Sequence, residues 1–273
     1  MRLTRRLSLV VALVLGCVLA LMNAGSAQAA APAYVALGDS YSSGNGAGDY
    51  IDSSGDCHRS NNAYPSLWAE ANNPSSFTFV ACSGAVTSDV TGSQVNSLSS
   101  STGLVSITIG GNDAGFANVM TTCVLGSDTT CLNRVATARS FVSSTLPARL
   151  DSVYNAIKSR APNADVVVLG YPRFYTEPSG ICLGLSQTKR TAINQAADQL
   201  NSVIRARAAA HGFTYGDVAA AFDGHELCSG DNWLHDLALP VWAAYHPTAL
   251  GHSGGYYPVL SANALTSARA GAA

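Results

Sequence analysis

Short, almost uninterrupted apolar runs recur along the chain, and they constrain its fold more than any other feature. Four clear runs and a weaker fifth lie at residues 34–38, 77–81, 104–109, 165–170 and 213–217. Strands that are apolar at consecutive positions are typical of parallel sheets, because such sheets are covered on both faces. The pattern therefore predicts about five buried, parallel strands.

Longer stretches with helical periodicity separate these runs. The clearest is 186–211, where apolar residues recur every three or four positions. Helices are also predicted over 62–71, over 133–160 with a break at Pro147, and over 247–267 with a break at Pro258. Strands that alternate with helices predict an α/β fold. We expect a three-layer α/β/α flavodoxin-like sandwich with a parallel sheet of about five strands.

Residues 1–29 differ from the remainder of the chain and are predicted to be a secretory signal peptide. Three arginines precede an apolar run from Leu7 to Met22, and a small-residue stretch with an Ala-x-Ala site at residues 27–29 follows it. We expect the leader to be removed there, so that residues 30–273 form a single secreted domain. The Sec and twin-arginine export routes both stay open.

The balance of charge narrows the classes of partner. The chain has 15 basic and 17 acidic residues; the leader holds three of the basic and none of the acidic residues, which gives the remainder a formal charge of −5. No basic cluster remains, and this argues against nucleic acid and anionic membranes as main partners. We expect the protein to be a monomer.

Three glycine-containing loops follow successive predicted strands, at residues 38–46, 81–85 and 110–113. In an open parallel sheet, ligands bind beyond the carboxyl ends of the strands. The three loops are therefore expected to meet at one edge of the sheet. They bring a serine hydroxyl, exposed backbone N–H groups and a side-chain amide to that edge.

These loops, together with a histidine near the C-terminus, carry a resemblance to a known superfamily. Gly38-Asp39-Ser40-Tyr41 ends the first strand, Gly84 follows the second, Gly111-Asn112-Asp113 follows the third, and His246 comes last. In this order they resemble the SGNH (GDSL) hydrolases, and in particular the secreted actinobacterial lipases and esterases of that superfamily. The resemblance spans most of the chain that follows the leader.

The resemblance implies that Ser40 is the nucleophile of an acyl-enzyme mechanism and that His246 is its base. A serine hydroxyl is a poor nucleophile unless a base is adjacent, and histidine suits that role because its pKa lies near neutrality. The resemblance also implies an oxyanion hole made of the backbone N–H groups of Ser40 and Gly84 and the amide of Asn112. The sequence shows no metal or cofactor motif, and none is expected.

The chain departs from the superfamily pattern just before His246. Many relatives have an aspartate three residues before the base, where this chain has Ala243. We therefore expect a Ser40–His246 dyad in which the main-chain carbonyl of Ala243 or Ala244 accepts the Nδ1–H of the imidazole. Three carboxylates remain as alternatives for the acid: Asp39, Asp113 and Asp236.

Residues 251–255, Gly-His-Ser-Gly-Gly, match the G-x-S-x-G motif that surrounds the nucleophile of other lipases. That motif needs a preceding strand and a later histidine. Neither is present here, because a predicted helix precedes the match and His252 is the last histidine of the chain. The match is therefore interpreted as accidental.

Six cysteines follow the leader, an even number that predicts disulfide bonds in an exported protein. Their spacing alone permits 15 connectivities. The resemblance implies sequential pairing, as Cys57–Cys82, Cys123–Cys131 and Cys182–Cys228.

Aromatic residues of the loops are candidates for an acyl-binding channel: Tyr41, Phe116, Tyr171, Phe174, Tyr175, Trp233, Trp242 and Tyr245. The resemblance and these residues thus indicate a secreted serine carboxylic ester hydrolase, a lipase or esterase that cleaves acyl esters of lipids. We expect its partner to be a lipid or small-ester substrate and expect transient contact with a lipid interface. Three alternatives stay open. They are a phospholipase A1, a polysaccharide deacetylase (a carbohydrate esterase), and an inactive binding module on the same scaffold.

Overall fold

Five parallel strands form the centre of the protein in the computed structural model, which describes residues 31–177, 182 and 184–270 and the side chains up to residue 264. The strands are β1 (Ala33–Gly38), β2 (Ser76–Phe79), β3 (Thr102–Thr108), β4 (Asp165–Leu169) and β5 (Thr214–Gly216). They lie in the order β2-β1-β3-β4-β5, and every neighbouring pair is parallel. This is the flavodoxin-like order, and it confirms the predicted fold class.

Helices connect the strands and complete the outer layers. The α-helices are α1 (Ser40–Ser43), α2 (Tyr64–Asn72), α3 (Thr87–Gly92), α4 (Phe116–Leu125), α5 (Asp128–Ser144), α6 (Leu146–Arg160), α7 (Gln187–Ala210), α8 (Val218–Ala221) and α9 (Tyr257–Ala270). Short 3₁₀ turns occupy Asp52–Cys57, Gln94–Ser97 and Val241–Ala243, and a π-helical turn occupies Gly251–Tyr256.

The direction in which the chain moves across the sheet assigns the helices to its two faces. The step from β1 to β2 runs one way, and the later steps to β3, β4 and β5 run the other way. Because such crossovers are right-handed, α2 covers one face and the helices between β2 and β5 cover the other. Helix α9 packs on α2, β4 and β5, whereas α7 packs on α5 and α6.

The helix predicted over 186–211 is found with its ends where the sequence placed them. Ser186 accepts a hydrogen bond from the Lys189 N–H as the N-cap of α7, and His211 ends the helix. The predicted break near Pro147 is also found. It falls at Thr145, and Pro147 becomes the second residue of α6, where its missing N–H costs nothing.

Two helical predictions need correction. Pro258 does not break the last helix, because the π-helical turn directly before it widens the backbone and α9 continues through it. Helix α4 is not among the predicted helices, and Phe116, predicted to be a loop residue, is its first residue. The helix has neither a side-chain N-cap nor a charged residue, so it lacks the signals that mark a surface helix.

The core lies on both faces of the sheet. The strands β1, β3 and β4 are almost entirely buried, as expected for continuous apolar runs covered by two helical layers. The described residues from Pro32 onward belong to one compact unit. Among them, no helix combines the length and the apolar character that crossing a membrane requires. The predicted leader lies outside the described residues.

Candidate active site

The loop after β1 holds Ser40 at the start of α1, at the carboxyl edge of the sheet. Asp39 caps this short helix, because its Oδ1 accepts the N–H of Tyr41 at 3.0 Å. Ser40 is itself in the first turn, so its N–H has no acceptor within the helix. The hydroxyl and the backbone N–H of Ser40 are thus presented at one place.

Asp39 is fully buried in a network that joins two loops of the site. It accepts hydrogen bonds from the hydroxyls of Thr108, at 2.7 Å, and Tyr171. The Tyr171 hydroxyl in turn accepts the N–H of Gly111 at 3.2 Å. Burial raises the pKa of Asp39 to about 6, although these hydrogen bonds oppose the shift. Asp39 therefore braces its own loop against the loop after β3.

His246 faces Ser40 across the site. Its Nε2 lies 2.8 Å from the Ser40 Oγ, and its Nδ1 lies 3.0 Å from the carbonyl oxygen of Ala244. A carbonyl accepts hydrogen bonds and never donates them, so the proton belongs on Nδ1. Nε2 then presents its lone pair to the Ser40 hydroxyl, which is the arrangement that a general base requires.

The surroundings keep this imidazole neutral. Burial lowers the pKa of His246 to about 4, and the carbonyl of Ala244 opposes that shift. The neighbouring imidazoles of His235 and His58 lower the pKa further. At neutral pH the ring is uncharged, so it can accept a proton from an adjacent hydroxyl.

A short antiparallel bridge between Leu234 and Pro247 anchors the loop that carries His246. Within it, the N–H of His235 donates to the carbonyl of His246 at 2.9 Å. The Tyr41 hydroxyl donates to the carbonyl of Tyr245 at 2.6 Å, which ties the loop to α1. The histidine loop and the serine helix are therefore positioned against each other directly.

The loops after β2 and β3 meet beside Ser40. Residues 82–85 form a turn closed by the N–H of Ala85 on the carbonyl of Cys82 at 3.1 Å, with Gly84 at φ +77°. The Asn112 amide donates to the carbonyl of Ala85 at 3.0 Å. One N–H of that amide is thereby held, and the other can donate to a ligand. Gly84 and Asn112 line one cleft with Ser40 and His246.

Three disulfide bonds join Cys57 to Cys82, Cys123 to Cys131, and Cys182 to Cys228. The first lies beside the site, because Cys82 begins the turn that contains Gly84. The N–H of Ser83 also donates to the carbonyl of Cys57 at 3.2 Å. This bond and the disulfide hold the turn against the long loop after β1.

None of the three alternative carboxylates contacts His246. Asp113 accepts the N–H and hydroxyl of Thr87 and pairs with Arg149 at 3.1 Å, so it braces the loop after β3 against α3 and α6. Asp236 is exposed and accepts the N–H of Leu237 at 2.8 Å. Of the two carbonyls proposed from the sequence, that of Ala244 accepts the Nδ1–H, while Ala243 uses its own carbonyl for the N–H of His246.

The G-x-S-x-G match lies in the π-helical turn and has a packing explanation. Ser253 is exposed and donates to the carbonyl of Leu250 at 3.4 Å. A Cβ at Gly255 would come within 2.2 Å of the Phe222 ring, and one at Gly254 within 2.7 Å of the Trp233 ring. The glycines are thus explained by aromatic side chains that press against this helix, and not by a nucleophile.

Two spaces border Ser40 and Asn112, and both are also lined by Phe116 and Met120. The inner pocket runs between α4, α5 and α7 and is almost wholly apolar. The outer cleft opens to solvent between α4 and the loop that carries His246. An extended ligand can therefore pass Ser40 with one part in each space.

Six of the eight aromatic candidates line these spaces. Tyr41, Phe116, Tyr171 and Phe174 line the inner pocket, and Phe116, Trp242 and Tyr245 line the outer cleft. Tyr175 and Trp233 line neither, so their inclusion was wrong. Trp233 instead stacks on His225 at 3.6 Å.

Sequence reasoning missed the aliphatic part of the inner pocket, which comes from the facing sides of α5 and α7. Its members are Ala138, Val142, Ile193, Ala196, Ala197 and Leu200. Three of them belong to the apolar face that predicted α7. In a sequence, a residue that lines a pocket has the same periodicity as one that fills the core, so no signal distinguished them.

No group of three or more histidine, cysteine, aspartate or glutamate side chains suited to a metal ion occurs in the part of the chain that the structure describes. The site contains a hydroxyl, a neutral imidazole and hydrogen-bond donors at the edge of a parallel sheet. This fold and this site define a carboxylic ester hydrolase with a three-layer α/β/α architecture.

The chain belongs to the GDSL-like lipase/acylhydrolase family, whose pattern matches residues 36–253. It is 62% identical to Lipase 1 of Streptomyces coelicolor over 266 residues, which cover 96% of this chain and 99% of that protein. The family resemblance predicted from the sequence is thereby confirmed.

Two solved structures share the fold. The phospholipase A1 of Streptomyces albidoflavus NA297 is 65% identical, with a TM-score of 0.84, over 86% of this chain and 100% of that chain. The extracellular lipase of Streptomyces rimosus is 59% identical, also with a TM-score of 0.84, over 85% of this chain and 100% of that chain.

Proposed function

We propose that this protein is a secreted lipase or esterase that hydrolyses acyl esters of lipids through an acyl-enzyme on Ser40. The observation that carries the proposal is the short contact between the Ser40 Oγ and the His246 Nε2, at 2.8 Å, beside an apolar pocket. The names of the relatives support the same activity, since each is a lipase or a phospholipase.

In the first step, the Ser40 Oγ attacks the ester carbonyl carbon while its proton passes to the Nε2 of His246. The negative oxygen that forms is held by the N–H groups of Ser40 and Gly84 and by the Asn112 amide, which are in place before the reaction. The carbonyl of Ala244 accepts the Nδ1–H and so stabilises the imidazolium as it forms.

The tetrahedral intermediate then collapses, and the imidazolium gives its proton to the departing alcohol. A water molecule next attacks the acyl-enzyme while His246 again accepts the proton. When this second intermediate breaks down, the proton returns to the Ser40 Oγ and the carboxylic acid is released.

The two spaces suit the two halves of a lipid ester. The inner pocket is apolar and encloses Ser40 at one end, which fits a fatty acyl chain. The alcohol half then lies in the outer cleft. The described residues that line this cleft include no Asp, Glu, Lys or Arg. A lining without these charges favours an uncharged alcohol half, such as that of a glyceride.

Phospholipase A1 activity is a second candidate, favoured by the 65% identity to a phospholipase A1 structure. The chemistry at Ser40 would be the same, and only the group in the outer cleft would differ. Release of the fatty acid from the first position of phosphatidylcholine, compared with release from a triglyceride, distinguishes the two activities.

The proposed route to the substrate is secretion. The predicted leader, residues 1–29, and the even number of cysteines after it support export, as does the extracellular location named for the Streptomyces rimosus lipase. We infer that residues 30–273 are the mature, single-domain enzyme. N-terminal sequencing of the protein from culture medium should begin at or near Ala30.

The function is tested with nitrophenyl esters of increasing acyl length, a triglyceride and phosphatidylcholine, together with labelling by a serine-reactive phosphonate. We expect hydrolysis of long-chain esters, and a label on Ser40 that disappears in Ser40→Ala. The matched control is Ser253→Ala, which should keep both label and activity because Ser253 is exposed in the π-helical turn at Gly251–Tyr256. Hydrolysis confined to acetyl esters would contradict a lipid substrate, and labelling at Ser253 would contradict the nucleophile.

A further inference from the structure

Four exposed apolar side chains lie on the two segments that flank the outer cleft, and we refer to them as the apolar rim: Leu125, Leu237, Leu239 and Val241. Their exposed fractions are 81%, 64%, 90% and 72%. Leu125 ends α4, and the other three precede or begin the 3₁₀ turn that leads to His246. Large apolar side chains are costly to leave in water, so a cluster of them at one opening requires an explanation.

The rim is continuous with the candidate active site. Leu125, Leu237 and Val241 line the same cleft as Ser40 and His246, and Leu239 lies between Leu237 and Val241 in the chain. The remaining large apolar side chains that are exposed among the described residues, Phe77, Leu132 and Leu250, do not line that cleft. The exposure is therefore concentrated where an ester must enter.

The two segments that form the rim carry no charge. Residues 114–127 and 237–245 contain no aspartate, glutamate, lysine or arginine. The turn at the rim also satisfies backbone groups locally, because the N–H groups of Ala243 and Ala244 donate to the carbonyls of Pro240 and Val241. This turn can enter an apolar medium with less cost from unpaired backbone groups.

We propose that the apolar rim docks the enzyme onto an uncharged or zwitterionic lipid–water interface, so that a lipid ester passes into the cleft without crossing water. The inference rests on the proposed function, since it names where the lipid lies when Ser40 acts on it. Insertion of a few apolar side chains is sufficient for reversible contact with such an interface. The formal charge of −5 after the leader opposes anionic surfaces.

A second copy of the chain fits the rim less well. Four side chains provide less than the roughly 800 Å² per partner that stable dimers bury. They also surround the opening of the site, which a dimer through this surface would close.

The experiment measures binding of the Ser40→Ala protein to phosphatidylcholine vesicles by co-sedimentation, so that hydrolysis does not change the surface. The rim variant adds Leu239→Ser, at the rim residue that does not line the cleft, and the matched control adds Leu250→Ser, whose side chain is 61% exposed and also outside the cleft. We expect the rim variant to bind about tenfold more weakly and the control to bind unchanged.

The same substitutions are then made in the active enzyme and assayed on a soluble nitrophenyl butyrate and on emulsified triglyceride. We expect the rim variant to keep kcat/KM on the soluble ester within about twofold and to lose emulsion activity in parallel with vesicle binding. Circular dichroism on all variants checks that they are folded.

Three results would overturn the docking proposal. These are unchanged vesicle binding by the rim variant, an equal loss in the Leu250→Ser control, and a dimer in sedimentation equilibrium that the rim substitution dissociates. Binding that requires phosphatidylglycerol and disappears in high salt would also overturn it, because charge would then be the cause. An inactive enzyme that still binds vesicles through the rim would contradict the proposed function but not the docking surface.

Discussion

Two neutral histidines, six residues apart, differ in the one contact that matters for chemistry. Burial lowers the pKa of His246 to about 4 and that of His252 to about 3, so both rings are neutral at pH 7. Their titration does not distinguish them, although His252 is fully buried and His246 only partly buried. Only His246 has an Nε2 directed at a serine hydroxyl, in a cleft that a ligand can enter.

The backbone partner of each ring selects its tautomer. The Nδ1 of His246 faces a carbonyl, which places the proton on Nδ1 and leaves Nε2 as the acceptor. The Nδ1 of His252 instead faces the N–H of Tyr64 at 3.3 Å, which places the proton on Nε2. Nε2 of His252 has no hydrogen-bond partner among the described residues. A histidine with a lowered pKa therefore offers its Nε2 as a base only when its Nδ1–H donates to an acceptor.

The largest expected difference is in turnover. His246→Gln should lower kcat on a nitrophenyl ester by about 10⁴-fold or more, because the base is removed. His252→Gln should leave kcat within about threefold, since a side-chain amide can still accept the Tyr64 N–H. A loss of turnover in His252→Gln comparable to that in His246→Gln would contradict the distinction between the two rings.

The next largest effect is expected at the proposed oxyanion hole beside Ser40. Asn112→Ala should lower kcat by about 10²–10³-fold, or ~2.7–4 kcal/mol, with KM changed by less than about twofold. The reason is that the amide is proposed to hold charge that exists only in the transition state. Steady-state kinetics on a soluble ester measure both constants, and an unchanged kcat would remove Asn112 from this role.

The two rings should act alike on stability in acid. A histidine whose folded pKa is lowered contributes fully above its ordinary pKa of about 6.5, and that contribution is lost as the pH falls toward the folded value. In the wild type, protonation of each ring should therefore remove about 2 kcal/mol of unfolding free energy between pH 7 and pH 5. Urea unfolding at the two pH values should show that His252→Gln and His246→Gln each lose about 2 kcal/mol less than the wild type. A loss equal to that of the wild type in either variant would show that its ring does not titrate as the structure implies.

The pH profile of activity should report His246 and not His252. The base must be neutral, so kcat/KM should fall on acidification only as the pH approaches about 4. At pH 5 this leaves activity about 30-fold above that of an enzyme whose base has an ordinary pKa. Rates on a soluble ester at constant ionic strength measure the profile, and His252→Gln should not move it. An acid limb near pH 6.5 would contradict the buried, neutral ring.

The smallest expected effect tests what orients His246. Asp236→Asn should change kcat by less than about threefold, because Asp236 is exposed and bonded to the Leu237 N–H. A fall on the order of 10³-fold would instead restore a Ser–His–Asp triad and contradict the carbonyl of Ala244 as the partner.

Much of the site could be predicted before the structure, because its residues follow strands. Apolar runs of five or six residues predicted the strands, and the loops after the first three contain Ser40, Gly84 and Asn112. Those loops meet because the carboxyl ends of parallel strands share one edge. The absence of aspartate before His246 likewise pointed to a carbonyl partner, although the sequence left Ala243 and Ala244 equally open.

What a single sequence does not contain is the surroundings of each group. Trp233 and Tyr175 are aromatic loop residues like Trp242, yet they line neither space. The aliphatic walls of the inner pocket have the periodicity of ordinary core. The helix α4 lacked caps and charge, and it proved to form one side of both spaces.

The sequence by itself therefore determined the alternation of strands with helices and the loops that carry the chemistry, because periodicity and turn residues are local properties of the chain. Only the tertiary structure decided which carbonyl holds His246, why His252 is not a second base, and where the acyl chain and the lipid surface are proposed to lie. These depend on which groups meet when the loops fold together at the sheet edge, where backbone partners set the tautomers and burial lowers the pKa values.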